Sequence, residues 1–171
     1  MTEEHKTILW AYRHHIVKRP LALPKFLLAV RWDNHKQVIE AHRLLSIWAR
    51  PPPIVALELL DAKFSDPVVR DYGASCLTNL TISECADLML QLTQAVKHEP
   101  YHTSALALFL LTRAWEHTTI GHTFYWFLKA EMHVPAVSER YTILLEIYLR
   151  GAKPHRQQLL KQQDVLSQLV R

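Results

Sequence analysis

The sequence predicts an all-α fold, on the basis of three observations. Apolar residues recur at helical spacing along most of the 171-residue chain, and prolines or capping residues separate these periodic stretches. No stretch alternates apolar and polar residues strictly enough to indicate a strand. Pairs of predicted helices recur every ~32 to 37 residues, a period typical of stacked helical hairpins. We therefore predict a right-handed α-α superhelix. Its hairpins begin near Asn34, Asp66, Thr103 and Pro135.

The first predicted helix begins after Thr2, whose hydroxyl can cap it. Glu3 and Glu4 occupy its first turn, where negative charge favours the exposed backbone N–H groups. Its apolar side consists of Leu9, Tyr12 and Ile16. Because proline is accepted in a first helical turn, Pro24 then predicts a short helix over residues 24–30.

Asn34 and Gln37 are spaced as in a capping box, in which each side chain hydrogen-bonds the backbone N–H of the other residue. The helix that follows has its buried stripe at Val38, Ala41, Leu45 and Trp48. The triple proline at 51–53 ends this helix. Such a run can be a ligand for a polyproline-binding domain, but we interpret it as a rigid turn, with Pro53 opening the next helix.

Asp66 followed by Pro67 predicts another helix start, because aspartate is a good cap and proline suits the first helical position. The buried stripe of this helix is Val69, Tyr72, Cys76 and Leu80. Gly73 lies inside it, where glycine costs about 1 kcal/mol relative to alanine, and so indicates close approach by a neighbouring helix. Residues 66–70 also resemble the opening of the second helix in a HEAT repeat, which favours a HEAT- or armadillo-like solenoid of helical hairpins.

Two further helix starts are predicted between residues 81 and 104. Thr81 and Glu84 form a second capping box. Thr103 is the predicted cap of the next helix, whose 105–111 stretch is apolar nearly all round. A helix with that composition is expected to be fully buried.

Residues 118–132 are predicted to form the central helix of the fold. Aromatic residues fall on neighbouring faces of this stretch, which implies burial on more than one side. Gly121 removes a side chain near its start. At helical spacing, one side of this helix consists of adjoining rows of residues, namely Phe124, Phe127, Leu128, Glu131 and Met132. We expect other helices to pack on both flanks.

The C-terminal part predicts two more helices. The first opens at Pro135 and ends at Gly151, which is expected to be a left-handed cap. Its apolar side consists of Val137, Tyr141, Leu144, Leu145 and Tyr148. The second follows Pro154 and is rich in glutamine, so we expect it to pack less firmly.

The two cysteines, Cys76 and Cys85, lie on predicted helices beside apolar residues. We expect them to be free core residues in a reducing compartment. The longest apolar run, 105–111, is far shorter than the ~20 residues that cross a bilayer. No N-terminal signal pattern is present, so we predict a cytosolic protein.

The net charge of +4 arises partly from clusters of basic residues. Such a balance weakly favours acidic partners, including anionic lipid surfaces or nucleic acid. We interpret these residues as solvated helix faces and expect no nucleic-acid partner. The clusters are His14, His15, Lys18, Arg19 and Lys25, and Lys153, Arg156 and Lys161.

One stretch matches a catalytic motif: His98, Glu99 and His102 fit the H-E-x-x-H pattern of zinc peptidases. The two histidines must lie on one helical face to bind one Zn²⁺. Pro100 removes a backbone donor and biases Glu99 away from helical geometry, so we interpret the stretch as a helix end and turn. The candidates for a third ligand are Glu116 and Glu131.

Other chemistry finds no support in the residue pattern. The chain has only three glycines, too few for a glycine-rich phosphate loop. It has no G-x-S-x-G turn, and neither cysteine has a histidine that pattern can assign to it. We therefore predict no catalytic, cofactor-binding or metal-binding residue.

Six motifs follow one another along the chain. They are Leu9-Trp10-Ala11-Tyr12-Arg13-His14, Leu23-Pro24-Lys25-Phe26-Leu27-Leu28, Ala56-Leu57-Glu58-Leu59-Leu60-Asp61, residues 91–101, Phe109-Leu110-Leu111, and residues 120–126. In this order they resemble the helical (PIK, or accessory) domain of phosphoinositide 3-kinases, from about residue 2 to 152. Residues 131–133, 137–141 and 148–151 resemble class I catalytic subunits, and the region around 95–107 is most similar to the gamma-type subunit.

The resemblance implies a helical domain over residues 1–152, followed by a helix or linker over 153–171 toward a kinase domain absent from this chain. In that family the domain is a solenoid between a membrane-binding β-sandwich and the kinase domain, which phosphorylates the inositol 3-hydroxyl with ATP and Mg²⁺. The implied function is a non-catalytic scaffold without a cofactor of its own, in the cytoplasm, that meets the membrane only through the parent enzyme. The alternative is a free-standing helical-repeat adaptor.

The partners implied by the resemblance are other domains of the same kinase, a regulatory subunit and a G-protein βγ dimer. Residues 2–6 are similar to an acidic segment that, in several class I enzymes, docks the N-terminal Src-homology-2 domain of the regulatory subunit and restrains activity. Glu3 fits that pattern, whereas His5 replaces a common acid. The regulatory-interface candidates are Glu3 and Glu4; the alternative is that they only stabilise the helix start.

Overall fold

The computed structural model of the chain describes residues 1–169, apart from the side chain of Pro154. All regular secondary structure in this part is helical, so the predicted all-α class is confirmed. Two short 3₁₀ turns, Pro20–Ala22 and Val96–His98, accompany the α-helices. The α-helices are α1 Glu3–Ala11, α2 Arg13–Ile16, α3 Leu23–Leu27, α4 His35–Ile47, α5 Pro53–Glu58, α6 Pro67–Cys76, α7 Ile82–Ala95, α8 Ala105–Glu116, α9 Thr118–Glu131, α10 Ser138–Gly151 and α11 Lys153–Leu169.

The chain divides into two compact units, Met1–Asn79 and Leu80–Arg171, and each has its own core. In the first unit the core is centred on Phe26 of α3. Its ring stacks on Trp10 of α1 at 6.0 Å and on Trp48 at 5.1 Å. Such aromatic contacts add to the stabilisation gained from burying the ring area. One aromatic column therefore joins α1, α3 and the end of α4.

The α5–α6 pair confirms the prediction made for Gly73. A Cβ atom at this position would lie 3.2 Å from Leu59 Cβ and 3.3 Å from the Ala56 carbonyl oxygen, so glycine lets the two helices approach closely. The connection between them is held by Arg70, which is only 1% exposed. Its Nη1 donates to the carbonyl oxygens of Asp61 at 3.2 Å and Phe64 at 3.1 Å.

In the second unit, α9 packs against α7, α8 and α10, which confirms its predicted central position. Phe124 and Leu128 are fully buried, whereas Phe127 is only half-buried. The neighbouring Tyr125 is also buried. Three helices around one rod account for burial on more than one side of α9.

The predicted capping groups are largely confirmed. The Thr81–Glu84 box is complete, with Glu84 N donating to Thr81 Oγ1 at 3.2 Å and Thr81 N donating to Glu84 Oε2 at 2.9 Å. Asp66 caps α6 by accepting from Val69 N at 3.1 Å. Thr2 caps α1, and the triple proline forms the predicted turn, with Pro53 as the first residue of α5.

The predicted box at Asn34 is only half formed. Asn34 Oδ1 accepts from the backbone N–H groups of Lys36 at 3.1 Å and Gln37 at 3.4 Å. Gln37 Oε1 does not return to Asn34; it accepts from Arg31 N at 2.9 Å instead. The Gln37 side chain therefore stabilises the loop before α4 and does not take part in the cap.

Three helix boundaries differ from the prediction. Ser104, not Thr103, caps α8, since Ser104 is the extended residue before the helix and its hydroxyl accepts from Ala107 N at 3.2 Å. The helix predicted to open at Pro135 begins at Ser138, because hydrogen-bonded turns occupy the residues between α9 and α10. The short helix predicted over 24–30 is α3, Leu23–Leu27.

Two predictions of burial were wrong. Tyr12 is 59% exposed, because the backbone leaves α-helical geometry at this residue and Ile16 belongs to the separate helix α2. The apolar stretch 105–111 is not buried all round, since Leu108 is 55% exposed on the side of α8 away from its packed face. Apolar composition alone does not say how many neighbours a helix has.

Gly151 is not a left-handed cap, because no glycine of the chain has a positive φ. It is the last residue of α10, and α11 begins two residues later. Its missing side chain makes room for Trp115, whose indole lies where a Cβ atom would stand. Trp115 Nε1 also donates to the Tyr148 carbonyl oxygen at 3.1 Å, so a packing contact explains this glycine.

Cys76 and Cys85 are both free and buried, as predicted. The buried face of α11 is marked by Leu159, which is fully buried, whereas Leu166 and Leu169 farther along are exposed. Across the described residues, no helix combines the length and the apolar character that a bilayer span needs.

Candidate regulatory interface

Glu3 and Glu4, the residues predicted to meet a regulatory partner, both lie exposed in the first turn of α1. Glu3 forms an ion pair with Lys6, at 2.7 Å between Oε1 and Nζ. The hydrogen bond and charge of Lys6 hold the pKa of the Glu3 carboxyl below its ordinary value, with a smaller contribution from Arg31. Because the pair is solvent-exposed, a stronger cationic partner could displace Lys6 at little cost.

A groove of about 190 Å³ lies beside this turn. Glu3 and Arg31 both line it, so the groove presents both signs of charge. Its lining residues are Glu3, Lys6, Thr7, Trp10, Ala29, Arg31 and Gln37. Such a surface suits a polar partner with charges of both signs rather than an apolar ligand.

The position of this surface is fixed by Trp10. Its indole stacks on Phe26, and the Arg13 guanidinium lies over the same ring, 4.9 Å from the centroid. Arg13 Nη1 donates to the Trp10 carbonyl oxygen at 2.9 Å, and Arg13 Nε lies 3.4 Å from Glu40 of α4. The C-terminal end of α1 is therefore held by the core, so that the acidic first turn projects from a fixed base.

The candidate zinc stretch does not have the geometry of a zinc site. His98 ends a 3₁₀ turn, and the next residue, Glu99, has extended backbone angles of −69° and 137°. His98 and His102 therefore do not lie on one helical face, and Glu99 is buried rather than open to a water molecule. Within residues 1–169, no group of three or more histidine, cysteine or acidic side chains is close enough to hold a metal ion.

The two proposed third ligands have other partners. Glu131 accepts a hydrogen bond from the Gln94 side chain, and Glu116 lies 3.8 Å from Arg113. The cysteines are also poor nucleophiles, because burial raises the pKa of the Cys76 and Cys85 thiols.

One polar cluster in the second unit was not foreseen. Its centre is the pair of imidazoles of His122 on α9 and His155 on α11, whose ring centroids lie 6.0 Å apart. Tyr148 Oη lies 3.0 Å from His155 Nδ1, and Trp126 Nε1 donates to His122 Nε2 at 3.2 Å. Burial, with a smaller contribution from His122, lowers the pKa of His155.

This cluster fastens α11 to α9 and α10. The Tyr125 hydroxyl donates to Gln163 Oε1 at 2.5 Å, and the Gln162 side chain lies beside the His122 ring. The one feature of the sequence that pointed to a close contact here is Gly121, next to His122, since a glycine inside a helix indicates a close neighbour. The partners on α11 lie about 30 to 40 residues away, where helical spacing gives no information.

The fold thus defines an all-helical domain, whose first helix begins with two exposed acidic residues. The chain belongs to the accessory-domain family of phosphoinositide 3-kinases: the phosphoinositide 3-kinase family accessory domain (PIK domain) matches residues 1–161. This agrees with the resemblance carried by the six motifs.

The relatives found include phosphatidylinositol 3-kinases of Dictyostelium discoideum. Phosphatidylinositol 3-kinase 2 is 46% identical over 170 residues, which cover 99% of this chain and 9% of that protein. Phosphatidylinositol 3-kinase 1 is 42% identical over 170 residues, covering 99% of this chain and 11% of that protein. Phosphatidylinositol 3-kinase 3 is 42% identical over 154 residues, covering 89% of this chain and 9% of that protein. The chain spans about a tenth of the length of these curated relatives.

Proposed function

We propose that this chain is the non-catalytic helical scaffold of a phosphatidylinositol 3-kinase, holding the catalytic, lipid-binding and regulatory parts of the enzyme in a fixed geometry. The family membership supports the parent enzyme. The observation that carries the scaffold role is the packing of α9, whose Phe124 and Leu128 are fully buried among three other helices. Close-packed helices of this kind resist deformation and transmit position.

In this proposal the domain occupies residues 1–152, and residues 153–171 lead toward the kinase domain. ATP and Mg²⁺ are bound by that kinase domain, outside this chain. The enzyme is cytoplasmic and is recruited to the membrane through its other domains. Its regulatory subunit or a G-protein βγ dimer is the external partner.

A chimeric enzyme tests the scaffold role. This chain replaces the corresponding segment of Dictyostelium discoideum phosphatidylinositol 3-kinase 2, to which it is 46% identical. We expect the chimera to keep lipid kinase activity. Phe124→Ala in the chimera is expected to cost about 3–5 kcal/mol and to reduce activity and thermal stability together.

The matched control is Leu108→Ala, which truncates an apolar side chain that is 55% exposed and is expected to change neither quantity. If deletion of the whole segment leaves full activity, the scaffold proposal is wrong. A chimera that folds but has no kinase activity would favour a free-standing helical adaptor instead.

We also propose that Glu3 and Glu4 dock the basic surface of a regulatory Src-homology-2 domain. Their exposure in the first turn of α1, a helix whose C-terminal end is held by the core, supports this role. In the complex of the parent enzyme with its regulatory subunit, Glu3→Lys is expected to raise basal lipid kinase activity, because repulsion releases the inhibitory contact. A phosphotyrosine peptide should then activate the variant no further.

Asp87→Lys, which reverses an exposed carboxylate on α7, is the control and should leave both quantities unchanged. If Glu3→Lys behaves like Asp87→Lys, the two glutamates serve only the helix start. The chimera experiment does not depend on this outcome.

A further inference from the structure

The first unit contains a long stretch without acidic residues. Residues 5–32 include six lysines and arginines and no aspartate or glutamate. Lys6 and Arg13 are neutralised within the fold, by Glu3 and Glu40, and His14 also lies 3.3 Å from Glu40. Arg31, at the end of the stretch, lines the groove beside Glu3. Three cations remain, in the middle of the stretch.

Lys18, Arg19 and Lys25 carry that charge. All three are exposed, and none of them forms an ion pair with any described residue. Unpaired cations on one short segment produce a local positive potential that attracts anionic partners.

The backbone that bears Lys18 and Arg19 is fixed. The Val17 carbonyl oxygen accepts from Ala49 N at 2.9 Å, and the Arg19 carbonyl oxygen accepts from Trp48 Nε1 at 3.3 Å. Val17 itself is buried in the core of the first unit. The segment that bears the two cations is thus already ordered, so that binding does not cost backbone conformational entropy.

Exposed leucines accompany these cations. Leu21, in the 3₁₀ turn before α3, is 68% exposed, and Leu28, directly after α3, is 41% exposed. The opposite side of α3 is buried, with Leu23, Phe26 and Leu27 each 0% exposed. We call the exposed residues of the 18–28 segment the basic face, and define it by Lys18, Arg19, Leu21, Lys25 and Leu28.

We propose that the basic face binds the surface of a membrane that contains anionic lipid. Cations attract anionic headgroups, while leucines gain free energy by entering the boundary between headgroups and acyl chains. An acidic protein segment would form ion pairs with the cations, but it would not bury the leucines and so would gain no free energy from them. This contact is direct, in addition to the indirect membrane contact implied by the family resemblance, and it does not depend on the scaffold role.

Vesicle flotation with the full chain tests the proposal. We expect binding to phosphatidylcholine vesicles with about one third phosphatidylserine, and none to phosphatidylcholine alone. Lys18→Gln, Arg19→Gln and Lys25→Gln, combined in one variant, should lower the partition coefficient about 100-fold, because each basic residue near an anionic surface contributes about fivefold.

The matched control combines Lys153→Gln, Arg156→Gln and Lys161→Gln on α11. Both triple variants change the net charge from +4 to +1, since each removes three positive charges. The control should bind like the wild type. All six side chains are exposed, so the thermal midpoints of both variants should equal that of the wild type.

Leu21→Ser separates a membrane from an acidic protein as the partner. It should weaken vesicle binding severalfold and leave binding to polyglutamate unchanged. The proposal is overturned if wild-type chain does not bind the anionic vesicles, or if both triple variants lose binding equally. It is also overturned if Leu21→Ser has no effect on vesicle binding, which would indicate a purely electrostatic surface for acidic proteins.

Discussion

The phenol of Tyr148 lies directly against the backbone of Gly121, with no room for a side chain between them. A Cβ atom at residue 121 would overlap the Tyr148 hydroxyl and would lie 2.5 Å from the Ala114 carbonyl oxygen. Tyr148 is fully buried, and its ring also meets Phe124 edge-on at 5.8 Å. This contact joins α9 to α10 at the point where the polar cluster begins.

Gly121→Ala is expected to lower the free energy of unfolding by about 2 kcal/mol, because a backbone oxygen and a buried ring cannot both move aside. This loss remains after the gain of about 1 kcal/mol in helix propensity is counted. The measurement is urea denaturation followed by circular dichroism.

Gly73→Ala is the matched comparison, with nearest contacts of 3.2 and 3.3 Å rather than an overlap. Here the propensity gain and the tight contact should nearly cancel, so that stability changes by less than about 1 kcal/mol. If both variants lost the same free energy of unfolding, the tighter packing around Gly121 than around Gly73 would be contradicted.

Thr93→Val is expected to stabilise the second unit by about 1 kcal/mol. Thr93 is fully buried, and its hydroxyl has no hydrogen-bond partner among the described residues. Replacing the hydroxyl with a methyl group of similar shape removes the desolvation cost of an unpaired polar atom. The Tyr141 hydroxyl donates to the backbone carbonyl of Thr93 at 2.8 Å, and this hydrogen bond is kept.

Thr93→Ser serves as the control for this prediction, since it keeps the hydroxyl and deletes the methyl group. It should destabilise the protein by about 1 kcal/mol. A lower thermal midpoint for Thr93→Val would show that the hydroxyl is satisfied in solution.

Arg70→Met is expected to cost about 3 kcal/mol of stability. The change keeps much of the apolar stem but removes the guanidinium donors to the carbonyl oxygens of Asp61 and Phe64. The Asp61 carbonyl keeps its hydrogen bond from Phe64 N, so the main loss is at the Phe64 carbonyl. Chemical denaturation measures the loss. Arg43→Met, at an exposed position on α4, should change stability by less than about 0.5 kcal/mol, and a similar cost there would assign the effect to helix propensity.

The stability of the second unit is expected to fall as the pH drops below about 6.5. The folded-state pKa of His155 is depressed, so the unfolded chain binds protons more readily, and the penalty grows from the unfolded-state pKa downward to the folded-state pKa. The depressed pKa values of Glu3 and Glu84 act at lower pH, below the ordinary glutamate value of 4.5. Thermal midpoints between pH 5 and 7.5 therefore separate histidine titration from the titration of these carboxyls.

His155→Gln removes the titrating group and can still accept a hydrogen bond from Tyr148. Its thermal midpoint should depend less on pH over that range than that of the wild type. An unchanged pH profile in the variant would assign the effect to other histidines.

Local signals predicted much of the fold. Thr81, Glu84 and Asp66 make their hydrogen bonds within three residues, so the sequence alone contains the whole motif. The central position of α9 followed from aromatic residues on several faces. The Thr103 error shows the limit, because two adjacent hydroxyl residues can both cap and only the path of the chain selects Ser104.

Features that depend on distant partners could not be predicted. Exposure of Leu108 depends on which helices surround α8, and contact between His122 and His155 depends on where α11 lies. At the candidate interface, Glu3 was placed correctly at the helix start, and its ion pair with Lys6 follows from a spacing of three residues. Arg31 reaches the same groove only through the fold of the first unit.

Gly151 faces solvent, yet the Trp115 indole occupies the volume that any larger residue there would need. Surface accessibility alone would therefore misjudge this position in a saturation mutagenesis screen, where most substitutions should be depleted more than at other exposed positions. Variants that shrink residue 115 at the same time should recover, and such paired recovery would report the contact without any structure.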